Sequence, residues 1–481
     1  MVIWLPMYVC QLDTLIYLIS LKYLKKKLDY AHQILESAIT QFIRRKTMYE
    51  KYYDVVGAGF GPAGIALETA IRDSEETSNE RIYKRVFLEK NNNSAWLPEM
   101  LLPGTDIQHH FLRDFATPRN PRSQYTFSNY LFEKGRLFSF GLLGRPSRTE
   151  WSDYVQWVAK KIDDKAQYNE EVKLVEPIIV DENVEGLKVH TKNNINNKEN
   201  VYHTKNLVLN SGRKPFVPSI FKGQIGDKVF HASKFISSIK NINNDDNPTF
   251  TVIGSGQNSV EIMLYLANKF PNSKINSVVR HTGFRLYELG HFTNEVFFPD
   301  FTNYFYSLTQ EGRDKLFEQI KHTNYSAVDE DVSEALYWKI YEDKIRGKEQ
   351  IKLYRCKEIF DISKHRDNYL LNFTDIYNKE DGSINTDYII LCTGFFEEKY
   401  PEVLKPMKEF INYNEENNIQ VFQDYKINTK SNVKANIYLN GLTERTHGIG
   451  DAASFTMMAT KAQRILDSID NNKFVKKGVL S

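Results

Sequence analysis

Two glycine-rich turns, each between an apolar strand-like run and a helix-like run, constrain this 481-residue chain most strongly. The first turn follows residues 53–56 and contains Gly57, Gly59, Gly61 and Pro62. In such a turn the glycines let the backbone bend and approach a pyrophosphate, while the helix directs its N–H groups and positive dipole end at that charge. Pro62 takes the third position of the G-x-G-x-x-G pattern, where glycine is usual. The turn therefore predicts a dinucleotide site that departs from the pattern at one position.

A carboxylate supports this interpretation of the first turn. The strand-like run at residues 85–88 ends at Glu89, where a carboxylate can bind ribose hydroxyls. Glu89 follows Gly57 by 32 positions, more than the usual gap of about 20. The sequence therefore predicts an enlarged connection across residues 73–84.

The second turn repeats the arrangement after the apolar residues 249–253. Its candidate nucleotide-binding residues are Gly254, Ser255, Gly256, Gln257 and Ser259. Ser259 replaces the third glycine and spaces the helix slightly further from the strand. Arg280 lies beyond the turn and suits the 2′-phosphate that distinguishes NADPH from NADH. Two such sites predict a flavoprotein that receives electrons from a nicotinamide cofactor.

Strands that alternate with helices predict an α/β fold with parallel sheets. We expect two Rossmann-like dinucleotide-binding domains, for FAD and NADPH, and a small, mainly helical substrate-binding part. The expected divisions are 48–220 for the first part of the FAD domain, 221–380 for the NADPH domain with an insert at about 285–350, and 381–481 for the segment that returns to the FAD domain and ends in a helix.

Residues 1–47 form an N-terminal extension with three open interpretations. Residues 2–23 are mostly apolar and precede Lys25–Lys27. A secretory signal carries its charge before the apolar stretch, so that interpretation is excluded. A membrane anchor, a poorly ordered extension, and a start codon assigned upstream of Met48 remain, with the last preferred and membrane attachment disfavoured.

Composition excludes several other classes of protein. A net charge of +2 argues against a nucleic-acid binder. Cys10, Cys356 and Cys392 are far apart, which predicts neither a disulfide framework nor a redox cysteine pair. The histidines have no ligand spacing, so no metal site is expected. The cysteine pattern suits a reducing compartment and predicts a cytoplasmic location.

Many separated motifs resemble one enzyme family, the flavin-dependent N-hydroxylating monooxygenases of siderophore biosynthesis, which act on L-ornithine N5 or L-lysine N6. The resemblance covers about residues 53–469, and residues 116–119 are more similar to the ornithine branch. The motifs that carry it are G-x-G-x-G-P-A at 57–63, W-x-x-x-M-L-L-P at 96–103, F-L-R-D at 111–114, N-P-R-S at 120–123, F-x-N-Y-L at 127–131, P-S-R-x-E-W-x-D-Y at 146–154, G-S-G-Q at 254–257, N-E-V-F at 294–297, H-T-N-Y at 322–325 and T-H-G at 446–448.

The resemblance implies roles for individual residues. Gln108, Asn294 and Asn324 are the implied catalytic residues, with Gln108 near both flavin and nicotinamide. Arg113, Asn294 and Ser454 are the implied substrate-binding residues, and Arg280 is implied to bind the 2′-phosphate. Trp96, Gln108 and Asn324 join the residues of the two turns and Glu89 as implied cofactor contacts.

Three departures from the family leave the substrate open. Arg113 stands where lysine usually pairs with the substrate carboxylate, and a guanidinium differs from an ammonium in length and geometry. Leu97 stands where histidine is frequent. Residues 450–455 depart from the D-x-x-L-S pattern, so that Ser454 lies one position from the expected serine. L-Ornithine is the leading substrate, and L-lysine, putrescine and cadaverine remain alternatives.

The resemblance also implies the reaction. NADPH reduces FAD, dioxygen adds to the flavin as a C4a-hydroperoxide, and the substrate amine attacks the distal oxygen. Attack needs a neutral amine, whereas a Lys-like amine in water has a pKa of about 10.4. The site must therefore deprotonate the amine, and the sequence names no general base. The resemblance suggests a homo-oligomer, for example a tetramer, and the contrasting hypothesis is a non-catalytic flavoprotein.

Overall fold

The computed structural model describes residues 52–78, 82–451 and 454–474, together with Lys25, Lys27 and His32. The chain separates into residues 1–52 and 53–481, and the elements below belong to the second part. The predictions for the N-terminal extension lie outside the described residues. Where the structure does describe helices, none is long and apolar enough to cross a bilayer.

The first glycine turn belongs to a five-stranded, fully parallel sheet, here called the first sheet. From edge to edge its strands are Asn436–Leu439, Asn206–Leu209, Val55–Ala58, Arg85–Glu89 and Ala166–Tyr168. Every residue of Val55–Ala58 is buried, which explains its uninterrupted apolar run. Helix Pro62–Ser78 packs against the C-terminal helix Met458–Phe474.

The second glycine turn belongs to another five-stranded parallel sheet, the second sheet. Its strands, in order, are Val229–His231, Tyr388–Leu391, Phe250–Ile253, Ile275–Val279 and Ile351–Arg355. Two parallel sheets with crossover helices confirm the predicted α/β class.

One predicted division is wrong at its edge. Tyr388–Leu391 pairs with Phe250–Ile253 and so lies in the second sheet, although residues 381–481 were assigned to the FAD domain. An apolar strand buried on both faces has the same pattern in either sheet, and only long-range pairing distinguishes them. The segment that returns to the first sheet begins after this strand.

Smaller elements complete the described fold. One antiparallel sheet contains Glu170–Val180, Asn183–Asn193 and Glu199–Thr204, and another contains Lys357–His365, Asn368–Asp375 and Asp381–Thr386. Short strand pairs join Lys214–Pro215 to Phe395–Phe396 and Arg285–Leu286 to Ala327–Val328. The remaining α-helices are Phe127–Glu133, Leu137–Phe140, Arg148–Ile162, Phe235–Ile239, Gln257–Lys269, Pro299–Ser307, Gln310–Ile320, Glu330–Ile345 and Glu444–His447.

Aromatic packing holds helix Arg148–Ile162 in place. Trp151 and Tyr154 on this helix are fully buried and contact the ring of Phe127, with centroids 5.1 and 5.2 Å away. Aromatic pairs at such distances add about 0.5–1.5 kcal/mol each beyond the area they bury. The helix therefore presents its first residue, Arg148, from a rigid support.

Candidate active site

The fold itself requires two glycines of the first turn. A β-carbon on Gly57 would lie 2.3 Å from a ring carbon of Phe87. Gly59 has a φ of 108°, and its carbonyl accepts a hydrogen bond from Asn210 Nδ2 at 3.0 Å. A side chain at either position would displace the strand or strain the turn.

Gly61 is different, because a β-carbon there would meet no atom within 4 Å. Pro62 begins the helix, where its missing N–H costs nothing. The open space over Gly61 and this helix N-terminus suits the pyrophosphate of FAD. The residues of the first turn therefore fit the predicted cofactor.

Gly64 explains the proline in the pattern. A β-carbon on Gly64 would lie 2.4 Å from the carbonyl oxygen of Gly59. The close packing of helix and turn, which the third glycine of the pattern usually permits, is thus provided two residues later. Sequence reasoning missed Gly64 and Asn210, although Gly64 was visible in the helix's first turn.

Glu89 lies beside the first turn and is buried. Its Oε2 accepts a hydrogen bond from the Phe60 amide at 2.8 Å, and its Oε1 accepts from the backbone and side chain of Asn91 at 3.0 and 2.8 Å. The carboxylate therefore stabilises the turn, and the predicted ribose contact stays a prediction.

In the second turn, as in the first, one glycine has no room for a side chain and another faces open space. Gly254 has a φ of 136°, and a β-carbon there would lie 2.2 Å from the Cys392 carbonyl oxygen. A β-carbon on Gly256 would meet no atom within 4 Å, at the N-cap of helix Gln257–Lys269. The Ser259 hydroxyl donates to the Gly256 carbonyl at 2.6 Å, so it is used within the turn.

Arg280 is exposed and directly follows strand Ile275–Val279, the neighbour of the strand that leads into the second turn. Ser255 is half-buried in the turn. A cation at the end of the second strand is where a dinucleotide fold places a partner for a 2′-phosphate. These positions fit NADPH.

A cavity of about 670 Å³ lies beside the second turn. It is lined by many of the predicted site residues, namely Trp96, Gln108, Arg113, Gly256, Gln257, Ser259, Asn294, Asn324 and Ser454. The other predicted residues, Gly57, Gly59, Gly61, Pro62, Glu89, Gly254, Ser255 and Arg280, lie outside this lining in or beside the two turns. The fold thus brings together side chains from segments more than 300 residues apart.

Arg113 is the positive group of this cavity. Its Nη1 donates to the Thr456 hydroxyl at 3.1 Å, and its Nη2 lies 3.4 Å from Asn294 Oδ1. Burial lowers the pKa of Arg113, and among the described residues no neighbouring carboxylate opposes that shift. A half-buried guanidinium held by neutral groups is suited to bind an anion.

Ser454 supports Arg113 indirectly. The Ser454 hydroxyl donates to the Thr456 hydroxyl at 3.1 Å, and Thr456 accepts from Arg113. The displaced serine therefore lies within the same polar group as the guanidinium. Sequence reasoning missed Thr456, and the departure around Ser454 was the only available signal.

A partly buried ionic cluster borders the cavity next to Asn324. Arg213 and Tyr325 line the cavity, and both bond to the carboxylate of Glu444. Glu397 Oε1 lies 3.7 Å from Arg213 Nε. Burial, reinforced by Glu444, raises the pKa of Glu397 to about 7. Of these residues the sequence motifs pointed only to Tyr325.

A buried ion pair joins helix Arg148–Ile162 to the helix that follows the second turn. Arg148 donates two hydrogen bonds to Glu261, both at 2.7 Å, and both side chains are buried. Arg148 belongs to the helix next to the first sheet, and Glu261 lies on the helix that follows the second turn. The ion pair therefore fixes the distance between these two helices. From the sequence, Arg148 was identified only as part of a motif.

Comparison with known proteins agrees with this geometry. The sequence pattern of the L-lysine 6-monooxygenase/L-ornithine 5-monooxygenase family matches residues 51–397. L-Ornithine N(5)-monooxygenase from Pseudomonas aeruginosa is 30% identical over 423 residues, which cover 87% of this chain and 93% of that protein.

Solved structures give the same result. Ornithine N-hydroxylase from Kutzneria sp. 744, in complex with reduced FAD, NADP+ and L-ornithine, has a TM-score of 0.83, 26% identity and coverage of 88% of this chain and 100% of that one. L-Lysine 6-monooxygenase from Pseudomonas syringae has a TM-score of 0.79, 35% identity and the same coverage.

Proposed function

Because this chain belongs to the L-lysine 6-monooxygenase/L-ornithine 5-monooxygenase family, we propose that it uses FAD and NADPH to hydroxylate the side-chain amine of L-ornithine. The observation that carries the substrate class is Arg113, a cavity guanidinium that has no carboxylate partner within the part of the chain that the structure describes. An amino acid supplies that carboxylate, whereas putrescine or cadaverine would place a second cation there. The product would be N5-hydroxyornithine, a precursor of hydroxamate siderophores.

L-Lysine is the second candidate. Aligned by structure, the lysine enzyme from Pseudomonas syringae is 35% identical to this chain and the ornithine hydroxylase from Pseudomonas aeruginosa is 28% identical. Lysine carries the same carboxylate and one additional methylene, which a pocket discriminates by about 1–3 kcal/mol. Direct competition between the two amino acids is therefore required.

Each turn receives one nucleotide in this proposal. Gly61 and Pro62 would hold the FAD pyrophosphate, with Glu89 at the ribose, and Arg280 would hold the 2′-phosphate of NADPH. Bound FAD, once reduced by NADPH, would activate dioxygen, which is the source of the oxygen atom in the product.

The chain's own side chains orient the amine. Arg113 binds the substrate carboxylate, while Asn294, Asn324 and Gln108 present amide groups to the same cavity. Burial of an ammonium in a poorly hydrated site lowers its pKa, and hydrogen bonds that an amide carbonyl accepts orient the neutral amine. The cavity thus favours the form that can attack.

The test is an amine panel with the purified holoenzyme. NADPH oxidation and hydroxylated product are measured with ornithine, lysine, putrescine and cadaverine. We expect product from ornithine first, then lysine, and little from the diamines. Equal hydroxylation of putrescine would contradict the role of Arg113, and protein that stays colourless after FAD is added would favour the non-catalytic alternative.

We also propose that the enzyme is a homo-oligomer in the cytoplasm. Phe132, Phe138, Leu142 and Leu143 are largely exposed on one short segment, and such apolar groups commonly mark an interface. Light scattering of the wild type and of Phe138→Ser/Leu142→Ser tests the assembly.

Cell fractionation of chains that start at Met1 and at Met48 tests the cytoplasmic location, and recovery of both chains from the membrane fraction would overturn it.

A further inference from the structure

We propose that Asp329 is a positioning residue that fixes the side-chain amide of Gln108, so that the Gln108 carbonyl oxygen stays available to ligands in the cavity. This inference rests on the proposed function, in which Gln108 presents its amide group to the cavity. The two residues are 221 positions apart and meet only in the folded chain.

The contact has a defined direction. Gln108 Nε2 donates to Asp329 Oδ2 at 3.3 Å, and Asp329 is buried. An ionised carboxylate only accepts hydrogen bonds, so it selects the amide orientation in which the NH2 group faces it. The carbonyl oxygen of Gln108 is then directed away from Asp329.

The usual role of an aspartate at this position does not explain its side chain. Asp329 is the N-cap of helix Glu330–Ile345, where a carboxylate normally accepts from a backbone N–H of the first turn. No such bond forms here. The carboxylate is used for Gln108 instead of for its own helix.

Asp329 is itself held from the second turn. Its backbone N–H donates to Gln257 Oε1 at 2.8 Å, and Gln257 Nε2 donates to Glu261 Oε1 at 2.9 Å. Glu261 in turn binds Arg148. The orientation of Gln108 is therefore connected to the helix that begins at the second turn.

The consequence for the reaction is a loss of coupling rather than of cofactor binding. With Asp329→Asn the partner can donate as well as accept, so the Gln108 amide can rotate and present NH2 to the cavity. Misplaced polar groups in an active site cost up to about 100-fold in rate. NADPH would still be oxidised, but less of the oxygen would reach the amine.

The experiment is a double-mutant cycle with Asp329→Asn, Gln108→Leu and the double variant. The exposed neighbour Asp331→Asn serves as the matched control. Product formed per NADPH consumed is measured with ornithine, and the Kd of the apoprotein for FAD is measured by flavin fluorescence.

We expect Asp329→Asn to lower product per NADPH by about tenfold, with the Kd for FAD within about twofold of the wild type. The double variant should lose no more product per NADPH than Gln108→Leu alone, because both changes remove the same orientation of the Gln108 amide. Wild-type coupling in Asp329→Asn, or losses that multiply in the double variant, would overturn the proposal.

Two further measurements keep the outcomes separate. If Asp329→Asn does not fold, Asp329→Ser supplies a hydroxyl that can cap the helix, and it is predicted to lose coupling in the same way. If the wild type hydroxylates no amine, the proposed function fails. The visible absorption of bound FAD then tests the Asp329 role by itself. Asp329→Asn and Gln108→Leu should shift this absorption by equal amounts that do not add in the double variant. Additive shifts would reject the Asp329 role.

Discussion

The Arg113 guanidinium donates a hydrogen bond to the Thr456 hydroxyl, with 3.1 Å between Nη1 and Oγ1. The second terminal nitrogen lies near Asn294, so both ends of the planar fork are held by neutral groups. A lysine ammonium has a single nitrogen and no planar fork, so it would hold these two groups with a different geometry. Thr456 and Asn294 therefore hold the guanidinium in one orientation towards the cavity.

Arg113→Ala should raise the KM for ornithine by about 10–100-fold, because a hydrogen bond to a charged group contributes about 1.5–3 kcal/mol. The KM for putrescine should not rise and should fall, since putrescine has no carboxylate and its second ammonium would no longer face the guanidinium. Steady-state kinetics with both amines measure the difference. The KM of Arg113→Lys for ornithine should lie between those of the wild type and Arg113→Ala. An equal rise of KM for both amines would refute carboxylate binding by Arg113.

Gly61→Ala should weaken FAD binding while the protein stays folded, because its β-carbon enters only the space assigned to the pyrophosphate. Gly254→Ala should instead destabilise the second sheet, since its β-carbon would meet the Cys392 carbonyl at 2.2 Å in a left-handed backbone. FAD titration and urea unfolding separate the two effects. Gly223→Ala, whose β-carbon also meets no atom within 4 Å, is the control. Normal FAD affinity in Gly61→Ala would remove the turn from the cofactor site.

Glu261→Ala should lower the free energy of unfolding by about 3–5 kcal/mol, because it leaves the buried charge of Arg148 unpaired. Arg148→Met in the same background should recover part of this loss. Denaturant unfolding of the two single variants and the double variant gives the interaction free energy between Arg148 and Glu261. Additive losses would mean that the pair does not act as a unit.

Stability should fall as pH rises from about 4.5 to 7, because Glu397 has a folded-state pKa raised to about 7 above its ordinary 4.5. The folded chain binds this proton more tightly than the unfolded chain, so the stabilisation is complete below pH 4.5 and is lost as pH passes 7. Glu397→Gln should flatten Tm across this range. Glu398→Gln, which removes a pair with Lys214, is the neighbouring control. If the pH dependence of Tm were unchanged in Glu397→Gln, the stabilising proton would belong to another group.

Local features could be predicted well. The glycine turns extend over about ten residues each, and the requirements of Gly59 and Gly254 for positive φ come from their own backbone. The fold class followed from the same segments, because a strand, a glycine turn and a helix in succession allow few arrangements. The implied roles of Gln108, Asn294 and Asn324 remain predictions, although the fold places all three at one cavity.

Other features depended on contacts between distant segments. Tyr388–Leu391 was assigned to the wrong sheet because its apolar pattern carries no information about its partner strand. Thr456 lies 343 positions from Arg113, and neither residue type specifies the other. The same holds for Arg148 with Glu261, whose pairing depends on how two helices pack.

The sequence by itself determined the two nucleotide turns, the α/β class and the family, because each depends on short-range spacing and residue type. Only the tertiary structure decided which side chains share the cavity, that Arg113 faces it without a counterion among the described residues, and that the Asp329 carboxylate accepts from Gln108 rather than from its own helix. The physical reason is that charge, hydrogen bonding and burial at a site depend on distances between atoms from segments far apart in the chain.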